Sequence, residues 1–380
     1  MKIIFEDELK AGWSLKTAYS DIERNIEEFP DFAPNYKSYG SMHVLFAVVP
    51  ESYHWLLKFF GVRANSIRGW EELNRINLDS PYWIETGMIK SLIALNIINQ
   101  EDRTKEILTE LIKYQKDNLI INYLYHSALI KYSRSESSLE GLKKLIFAGN
   151  SYHPINHIYY KIGEIYLQKQ QYAMARFYYA KFLNLHRGRN FIKDTWFKIF
   201  LTFYLEGNDK MAEIHWSKAD KSGRTVIAAD RNAGDLLDQD DYPNKALIKA
   251  RLATDGGYYL LASQALNDIK QGSLSTKKEE AEYFYRYGRL YDKEEKKDDA
   301  IFYYLNTIKK AGKENWYYAP NASLYIGYIY ENLEDYEKAK YFYEKASSYK
   351  KHKYKAGIDN KSYAALELLK EKAPDLFEDD

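Results

Sequence analysis

The stretch Ile326-Gly327-Tyr328-Ile329-Tyr330, continued by Tyr336-Glu337-Lys338-Ala339 and Tyr343-Glu344-Lys345-Ala346, has the spacing of one complete helical hairpin. Gly327 stands three residues before Tyr330 and twelve before Ala339. The two small residues allow a pair of antiparallel helices to approach closely, while Tyr330 and Tyr343 fill the wedge between them. The stretch therefore predicts a first helix, a tight turn and a second helix.

The same frame recurs upstream in the chain. Two close copies and two looser copies are present, each defined by a first-helix residue and its partner twelve residues later: Gly163 with Ala175, Gly288 with Ala300, Phe200 with Ala212, and Ala250 with Ala262. Small and aromatic residues that recur in a unit of about 34 residues resemble the tetratricopeptide repeat. From residue 156 onward the sequence therefore predicts an all-α, right-handed solenoid of tetratricopeptide-like helical hairpins.

Composition supports a helical array and excludes several classes of protein. The 380 residues include only eight prolines, and 37 tyrosines provide large amphipathic rings for packing between helices. Lys and Arg number 55 against 54 for Asp and Glu, so the net charge of +1 gives no electrostatic basis for binding nucleic acid or an anionic membrane. The chain has no cysteine, which excludes disulfides and thiol catalysis.

The sequence divides into three segments. Residues 1–150 are predicted to form divergent helical hairpins, residues 151–372 the array with a capping helix at its end, and residues 373–380 an acidic tail. Between Phe200 and Ala250 the repeat frame advances by 50 residues, whereas the neighbouring steps are 37 to 39. We expect one extra short helix near residues 226–237 to absorb the excess.

The N-terminal helix predicted at residues 8–29 carries an apolar face that includes Trp13 and Ile22. It resembles the second helix of a hairpin whose first helix would precede Met1, because terminal repeats normally present a polar outer face. We therefore expect an upstream piece. Residues 1–28 show no signal peptide and no stretch reaches the length of a membrane span. The chain as written is expected in the cytoplasm, and the alternative is export to the periplasm if an upstream signal sequence is missing.

Several motifs outside the repeat frame carry a family resemblance. They are Phe29-Pro30-Asp31-Phe32, Trp55-Leu56-Leu57-Lys58-Phe59-Phe60-Gly61, Gly188-Arg189-Asn190-Phe191-Ile192-Lys193-Asp194 and Asp255-Gly256-Gly257-Tyr258-Tyr259. With these motifs, nearly the whole chain resembles tetratricopeptide proteins of Bacteroidetes type. More distantly it resembles the eukaryotic family, tetratricopeptide-repeat-39-like, that includes an inclusion-body clearance protein of the outer mitochondrial membrane. The first resemblance implies the fold, and the second implies a clearance or lipid-related role at a membrane surface.

Metal-binding and catalytic motifs are weak in this sequence. His153 and His157 have a spacing that on one helix would direct two imidazoles toward a metal ion. Pro154, however, is expected at the first helical position, which leaves His153 outside the helix. Arg187, Arg189 and Lys193 form either an anion site or a solvated turn. No phosphate-binding loop or nucleophile elbow is present, so we expect no catalytic residue, no metal and no cofactor.

The inner face of the array is the candidate binding site. In tetratricopeptide proteins the first helix of each hairpin lines a concave groove, and the expected lining residues in this chain are Tyr160, Glu164, Tyr285, Arg289 and Tyr328. An aromatic and charged groove suits an extended or helical peptide. In the alternative interpretation, the tyrosines pack against the next hairpin and belong to the core.

The sequence therefore predicts a non-catalytic interaction scaffold that binds a protein or peptide partner. Two other functions stay open. An enzyme with a pocket built from groove residues would be favoured by convergent carboxylates with strongly perturbed pKa values, and a long open groove would count against it. The third possibility is the membrane-surface role that the eukaryotic resemblance implies.

Overall fold

The computed structural model describes residues 8–47, 54–59, 61–62, 65–98, 100–147, 153–239, 242–270 and 272–377. Within these ranges the regular structure is helical and no β-strand occurs, which confirms the all-α helical repeat fold. In chain order the α-helices are α1 (Glu8–Glu28), α2 (Ala33–Ala47), α3 (His54–Phe59), α4 (Ser66–Asn74), α5 (Trp83–Ile93), α6 (Glu101–Tyr114), α7 (Leu119–Lys131), α8 (Ser135–Ile146), α9 (His157–Gln168), α10 (Tyr172–Leu185), α11 (Ile192–Glu206), α12 (Asp209–Asp220), α13 (Ala228–Leu237), α14 (Lys245–Gly256), α15 (Tyr259–Asn267), α16 (Lys277–Lys293), α17 (Lys297–Ala311), α18 (Tyr318–Asn332), α19 (Tyr336–Ser348) and α20 (Lys355–Lys372).

The chain forms two compact units. The middle unit is Lys116–Tyr303, and the terminal unit combines Met1–Gln115 with Tyr304–Asp380. The division predicted from the sequence at residues 150 and 372 follows repeat similarity rather than compactness, and it stays a prediction. The handedness of the solenoid likewise stays a prediction.

Six hairpin turns share one backbone geometry. The turn residue adopts a left-handed conformation with φ between +60° and +90°, and the residues concerned are Ser133, Gln170, Gly207, Gly257, Glu295 and Glu334. In each turn the N–H of the next residue donates to the carbonyl five residues earlier, over 2.8–3.0 Å. This bond closes a Schellman motif and satisfies a carbonyl at the end of the first helix. The repeated turn explains why the frame tolerates different residues elsewhere.

One of these hairpins, α7–α8, does not follow the frame that the sequence predicts. Its frame begins at His126, 37 residues before Gly163, and the fully buried Ser138 takes the alanine position. The bulky and small residues have exchanged sides in this hairpin, because Gly141 on the second helix lies directly against the His126 ring. A pattern that requires a small residue on the first helix therefore misses it.

The glycines of the first helices make room for a tyrosine of the second helix. A Cβ atom on Gly163 would lie 2.7 Å from the Tyr179 ring, and one on Gly327 would lie 2.5 Å from the Tyr343 ring. Both tyrosines are fully buried. Gly163 and Gly327 lie in α9 and α18, and Gly288 lies in α16, so the predicted placement of all three in first helices is confirmed.

A second pair of rings stacks beside this contact. The residue three positions after the frame start stacks on the residue fifteen positions after it, with centroids 5.0–5.8 Å apart and planes within 14–29°, in four pairs: Tyr166–Tyr178, Phe203–His215, Tyr291–Tyr303 and Tyr330–Phe342. Tyr330 and Tyr343 therefore have different partners within their hairpin. In the frame that begins at Ala250, both positions are buried alanines, Ala253 and Ala265.

The long step between Phe200 and Ala250 holds an additional helix, as predicted. This helix is α13, and it contacts α11 and α12 in the middle unit. Asp240 and Asp241 of the same connection lie outside the described residues. After α13 the chain enters α14. The helices that α14 contacts determine how much of the inner face is accessible.

The terminal unit is built around a close helix crossing and the C-terminal helix. Gly40 of α2 and Gly69 of α4 pack backbone to backbone, since a Cβ on either would lie 2.5–2.6 Å from the carbonyl oxygen of the other. Helix α20, the capping helix that the sequence predicts from Asn360 to Lys372, begins at Lys355. It contacts α18, α19, α4 and the π-helical turn Ala94–Ile98 that follows α5. The sequence also predicts a helix from Pro50 through Gly61, and residues 50–53 and 60 of it lie outside the described residues.

Candidate functional site

Two of the predicted groove residues, Tyr160 and Glu164, meet in a polar cluster between α9 and α11. The Tyr160 hydroxyl donates to Oδ2 of Asp194 over 2.6 Å. The Lys198 ammonium lies 2.6 Å from Glu164 Oε1 and 3.0 Å from Asp194 Oδ2, and it also bonds to the Tyr160 hydroxyl. Lys161 completes the cluster at 2.8 Å from Glu164 Oε2. Two ammonium groups thus balance two carboxylates.

The position of Asp194 depends on an unusual start of α11. Phe191 precedes the helix with φ at +66°, and the carboxylate of Asp230 accepts the N–H groups of Phe191 at 2.7 Å and Asp194 at 3.0 Å. An acidic side chain at a helix N-terminus satisfies donors that lack a partner within the helix. Asp230 lies on α13, so the inserted helix holds the end of α11 that presents Asp194.

Three groups of this cluster have pKa values displaced away from neutral pH. Burial alone would raise the pKa of Glu164, but Lys161 and Lys198 hold it well below its usual range. Burial would lower the pKa of Lys198, and Asp194 and Glu164 more than offset it, so the pKa is raised. Burial and the neighbouring Asp194 raise the pKa of Tyr160 well above its usual value. None of these three groups exchanges a proton easily, which does not suit general acid–base catalysis.

The tyrosine of the cluster belongs to the core, whereas the charged tips reach the surface. Tyr160 is 2% exposed and packs against Phe182 and Phe191, with ring centroids 5.5 and 5.1 Å away. The side chains of Glu164 and Lys161 keep 19% and 23% of their surface exposed. Of the two interpretations of this ring, the structure supports packing.

Helix α14 lies against the inner helices and narrows the expected groove. It contacts α7, α9 and α11 within the middle unit. At its end, Gly257 packs against the Ser133 carbonyl, and the Tyr258 hydroxyl donates to Glu136 over 2.9 Å. Gly256 lies against Gln168 at the end of α9. The end of α14 and the residues that follow it therefore cover the inner face where α7 and α9 end.

The other predicted groove residues occupy separate places. Tyr285 is 3% exposed, and Arg289, one turn later on α16, lies 3.5 Å from Asp292. Tyr328 of the terminal unit is half-buried and packs edge-on against Tyr343 at 5.5 Å. Burial makes core the better description of Tyr285. Whether Glu164, Arg289 and Tyr328 contact a partner stays a prediction.

In the structure, His157 and Lys193 of the predicted metal and anion motifs have structural roles. Helix α9 begins at His157, so the expectation that Pro154 occupies the first helical position is wrong. His153 is exposed, whereas His157 stacks on Tyr160 at 4.8 Å. Lys193 donates to the carbonyls of Ala219 and Asp220 at the end of α12, so it is not part of an open basic turn. Among the described residues no group of three potential metal ligands occurs.

The outer side of α10 shows a feature that the sequence reasoning missed. Ala173, Met174, Phe177 and Ala180 lie on one face of this helix and are exposed, with Phe177 at 51%. We call these four residues the outer apolar stripe. The position of Phe177 is fourteen residues after Gly163, and the equivalent residues Ile214 and Phe302 are also at least half exposed. The recurrence in the sequence is the signal that could have revealed it.

Comparisons with known proteins support the repeat and leave the partner open. The tetratricopeptide-repeat family model matches residues 157–187 and 324–352, which are the α9–α10 and α18–α19 hairpins, so the chain contains tetratricopeptide repeats. A comparison with curated proteins gave no match. No described helix is long and apolar enough to cross a membrane.

Several solved structures are similar at low identity. The chain in a structure of Naa15/Naa10 bound to HypK-THB is 16% identical over 76% of this chain and 40% of that chain, with a TM-score of 0.28. The P58(IPK) tetratricopeptide domain is 13% identical over 97% and 99%, with a TM-score of 0.27. The matching chain of the APC/C hetero-tetramer Cut9-Hcn1 is 15% identical over 99% of this chain and 69% of that chain, with a TM-score of 0.33. The chain thus spans less than half the length of the Naa15/Naa10 chain that it matches.

Proposed function

We propose that this chain is a non-catalytic interaction scaffold whose partner is a protein. The observation that carries the proposal is the outer apolar stripe on α10. The hairpin α9–α10 is well packed internally, yet Met174 and Phe177 remain open to solvent on the same helix face. Contiguous exposed apolar surface on a folded array is typical of interaction sites.

The inner face is a second binding surface, suited to a peptide. In this proposal the predicted groove residues have two roles. Tyr160 and Tyr285 are core residues that support the surface, and the peptide contacts come from the charged tips of Lys161 and Glu164 and from Arg289. The tips of the α9 cluster are held by ion pairs of 2.6–2.8 Å, so they lose little conformational freedom when they bind. A preordered polar surface of this kind favours specificity more than affinity.

The enzyme alternative receives no support from the cluster geometry. Glu164 and Asp194 converge, as an acid–base pair would, but Lys198 lies between them and bonds to both. The raised pKa of Lys198 and the lowered pKa of Glu164 keep both groups ionised. A scaffold needs no proton transfer, and this arrangement fits it.

Site-specific photo-crosslinking in the native host tests the proposal. A photoreactive residue is placed at Ala180 on the outer stripe, at Lys161 on the inner face, and at the exposed Glu344 as a control. We expect one protein to be captured at Ala180, and its capture to be lost when Phe177→Ser is added. Capture at Lys161 alone would move the site to the inner face. Equal capture at all three positions, or none, would contradict a scaffold role.

A further inference from the structure

A small cavity of about 110 Å³ lies in the terminal unit. Its walls come from α2, α4, α6, α20 and the π-helical turn, and they include Trp70, Ile97, Ile98 and Leu368. The polar residues in its lining are Ser66, Glu71 and Arg103. It is therefore a mainly apolar pocket whose lining includes one cation and one carboxylate.

The π-helical turn and the glycine crossing explain why the pocket is open at this point. A π turn inserts one extra residue into a helix and shifts the side chains that follow, and such turns are frequent at functional sites. At this turn Ile97 and Ile98 face the pocket. The close backbone contact of Gly40 and Gly69 fixes α2 against α4, and both helices contribute residues to the pocket lining. The walls belong to secondary structure elements, so the cavity is preformed.

Two cations surround Trp70 without a carboxylate at ion-pair distance among the described residues. The Arg103 guanidinium carbon lies 4.8 Å from the Trp70 ring centroid, and the Lys90 ammonium lies 5.7 Å from it. By contrast, Lys198 of the middle unit is paired with Glu164 at 2.6 Å. A guanidinium stacked on an aromatic face keeps its in-plane N–H groups available for a bidentate anion. Burial lowers the pKa of Lys90, and the nearby Glu110 and Glu106 offset part of that effect.

We propose that this pocket binds a carboxylate attached to a single ring or a short branched chain, with the carboxylate on Arg103 and the apolar body against Trp70 and Leu368. The volume limits the size of the body: about 110 Å³ is less than the roughly 150 Å³ of an apolar cavity that accommodates benzene, so it favours the short branched chain over the ring. The exposed Glu71 in the lining disfavours ligands with two negative charges. Such a group is present in a free aromatic or branched acid and at the C-terminus of a peptide that ends in an apolar residue.

Calorimetric titration of the full chain tests the ligand chemistry. The probes are phenylacetate and 3-methylbutanoate, each against its neutral alcohol, and a tetrapeptide ending in leucine with either a free or an amidated C-terminus. We expect saturable binding of the carboxylates and at least tenfold weaker binding of the alcohols. A preference for the free peptide over both small acids would assign the site to chain termini, and the reverse would assign it to metabolites.

Variants connect the binding to this pocket. Arg103→Gln should weaken carboxylate binding at least tenfold and leave alcohol binding unchanged, whereas Arg24→Gln on exposed α1 is the matched control and should have no effect. Ala364→Phe should fill the cavity and abolish all binding, and Leu368→Phe serves the same purpose if the first variant melts early. Equal binding of acids and alcohols, binding that survives cavity filling in a folded variant, or no saturable binding by the folded parent would each overturn the proposal.

Discussion

In and around the hairpin α9–α10, polar side chains are largely buried on the inner side and apolar side chains are exposed on the outer side, which reverses the usual distribution in a folded protein. On the inner side, Tyr160, Glu164 and Lys198 are polar and largely buried, whereas Met174 and Phe177 on the outer side are apolar and exposed. The first helix contacts α8, α11 and α14 in addition to its own partner, so its charged residues Lys161 and Glu164 keep only 23% and 19% of their side-chain surface exposed. A residue's place in the repeat therefore predicts its helix and its direction, and the neighbouring helices decide whether it is accessible.

The largest expected effect comes from breaking the inner ion cluster. Lys198→Met leaves Glu164 and Asp194 without their shared cation, and removing one partner of a buried pair costs about 3–5 kcal/mol. Because the cluster is partly exposed, we expect the loss of unfolding free energy to lie near the lower end of that range. Hydrogen exchange of the α9 and α11 amides measures it. The outer counterpart, Met174→Ser, should stay within about 0.5 kcal/mol of the parent. A loss below about 1 kcal/mol for Lys198→Met would show that the cluster is solvated rather than interior.

Overpacking a hairpin should have the next largest effect. Gly327→Leu places side-chain atoms into the Tyr343 ring and should destabilise the terminal unit by about 1–3 kcal/mol. Thermal unfolding of the variant measures this. Gly357→Ala in α20 is the matched control, because a Cβ there meets nothing within 4 Å, and it should leave the melting temperature equal or higher. An unchanged melting temperature for Gly327→Leu would mean that the hairpin opens without cost.

Acidification should destabilise the inner side through its buried histidine. Burial lowers the pKa of His157 to about 4, so between pH 6.5 and 4 the unfolded chain binds a proton that the folded chain does not. Stability contributed by the neutral ring is complete above pH 6.5 and is lost as the pH falls through this window. Lowering the pH from 7 to 5 should cost about 1–2 kcal/mol for this residue alone.

His157→Gln checks this assignment, since the glutamine variant should lose that part of the pH dependence in denaturant titrations at pH 7 and pH 5. His126 has a pKa lowered to about 4 by burial as well and lies in the same unit, so its contribution must persist in the variant. A variant with the full pH dependence of the parent would exclude His157 as its source.

The smallest expected effect concerns the turns. Glu334 has φ at +61°, which glycine adopts without strain, so Glu334→Gly should raise stability by about 0.5–1 kcal/mol. Differential scanning calorimetry measures the shift. The same substitution at Glu337, in the first turn of α19, lacks that benefit and should lower stability. Equal shifts at the two positions would show that the turn conformation contributes nothing.

Much of the architecture was determined by local sequence. The spacing of Gly163, Gly288 and Gly327 to their alanines follows from helix geometry and from the need for close approach, and it placed all three glycines in the correct helices. The 50-residue step likewise revealed α13 because each hairpin has a nearly constant length. The repeat frame did not identify the α7–α8 hairpin, because there the bulky residue, His126, is on the first helix and the small residue, Gly141, is on the second. Such an exchange preserves the packed volume but alters the sequence pattern.

The accessibility of the candidate site was decided only by the tertiary structure. Nothing in the local sequence indicates that α14 returns to α7 and α9, because those contacts join residues about 90 to 125 positions apart and depend on the route of the chain through α13. The same long-range packing converts Tyr160 from an expected groove anchor into core and gathers Glu164, Asp194 and Lys198 into one cluster. Helix periodicity is a property of neighbours in sequence, whereas burial and ion pairing depend on which helices meet in space.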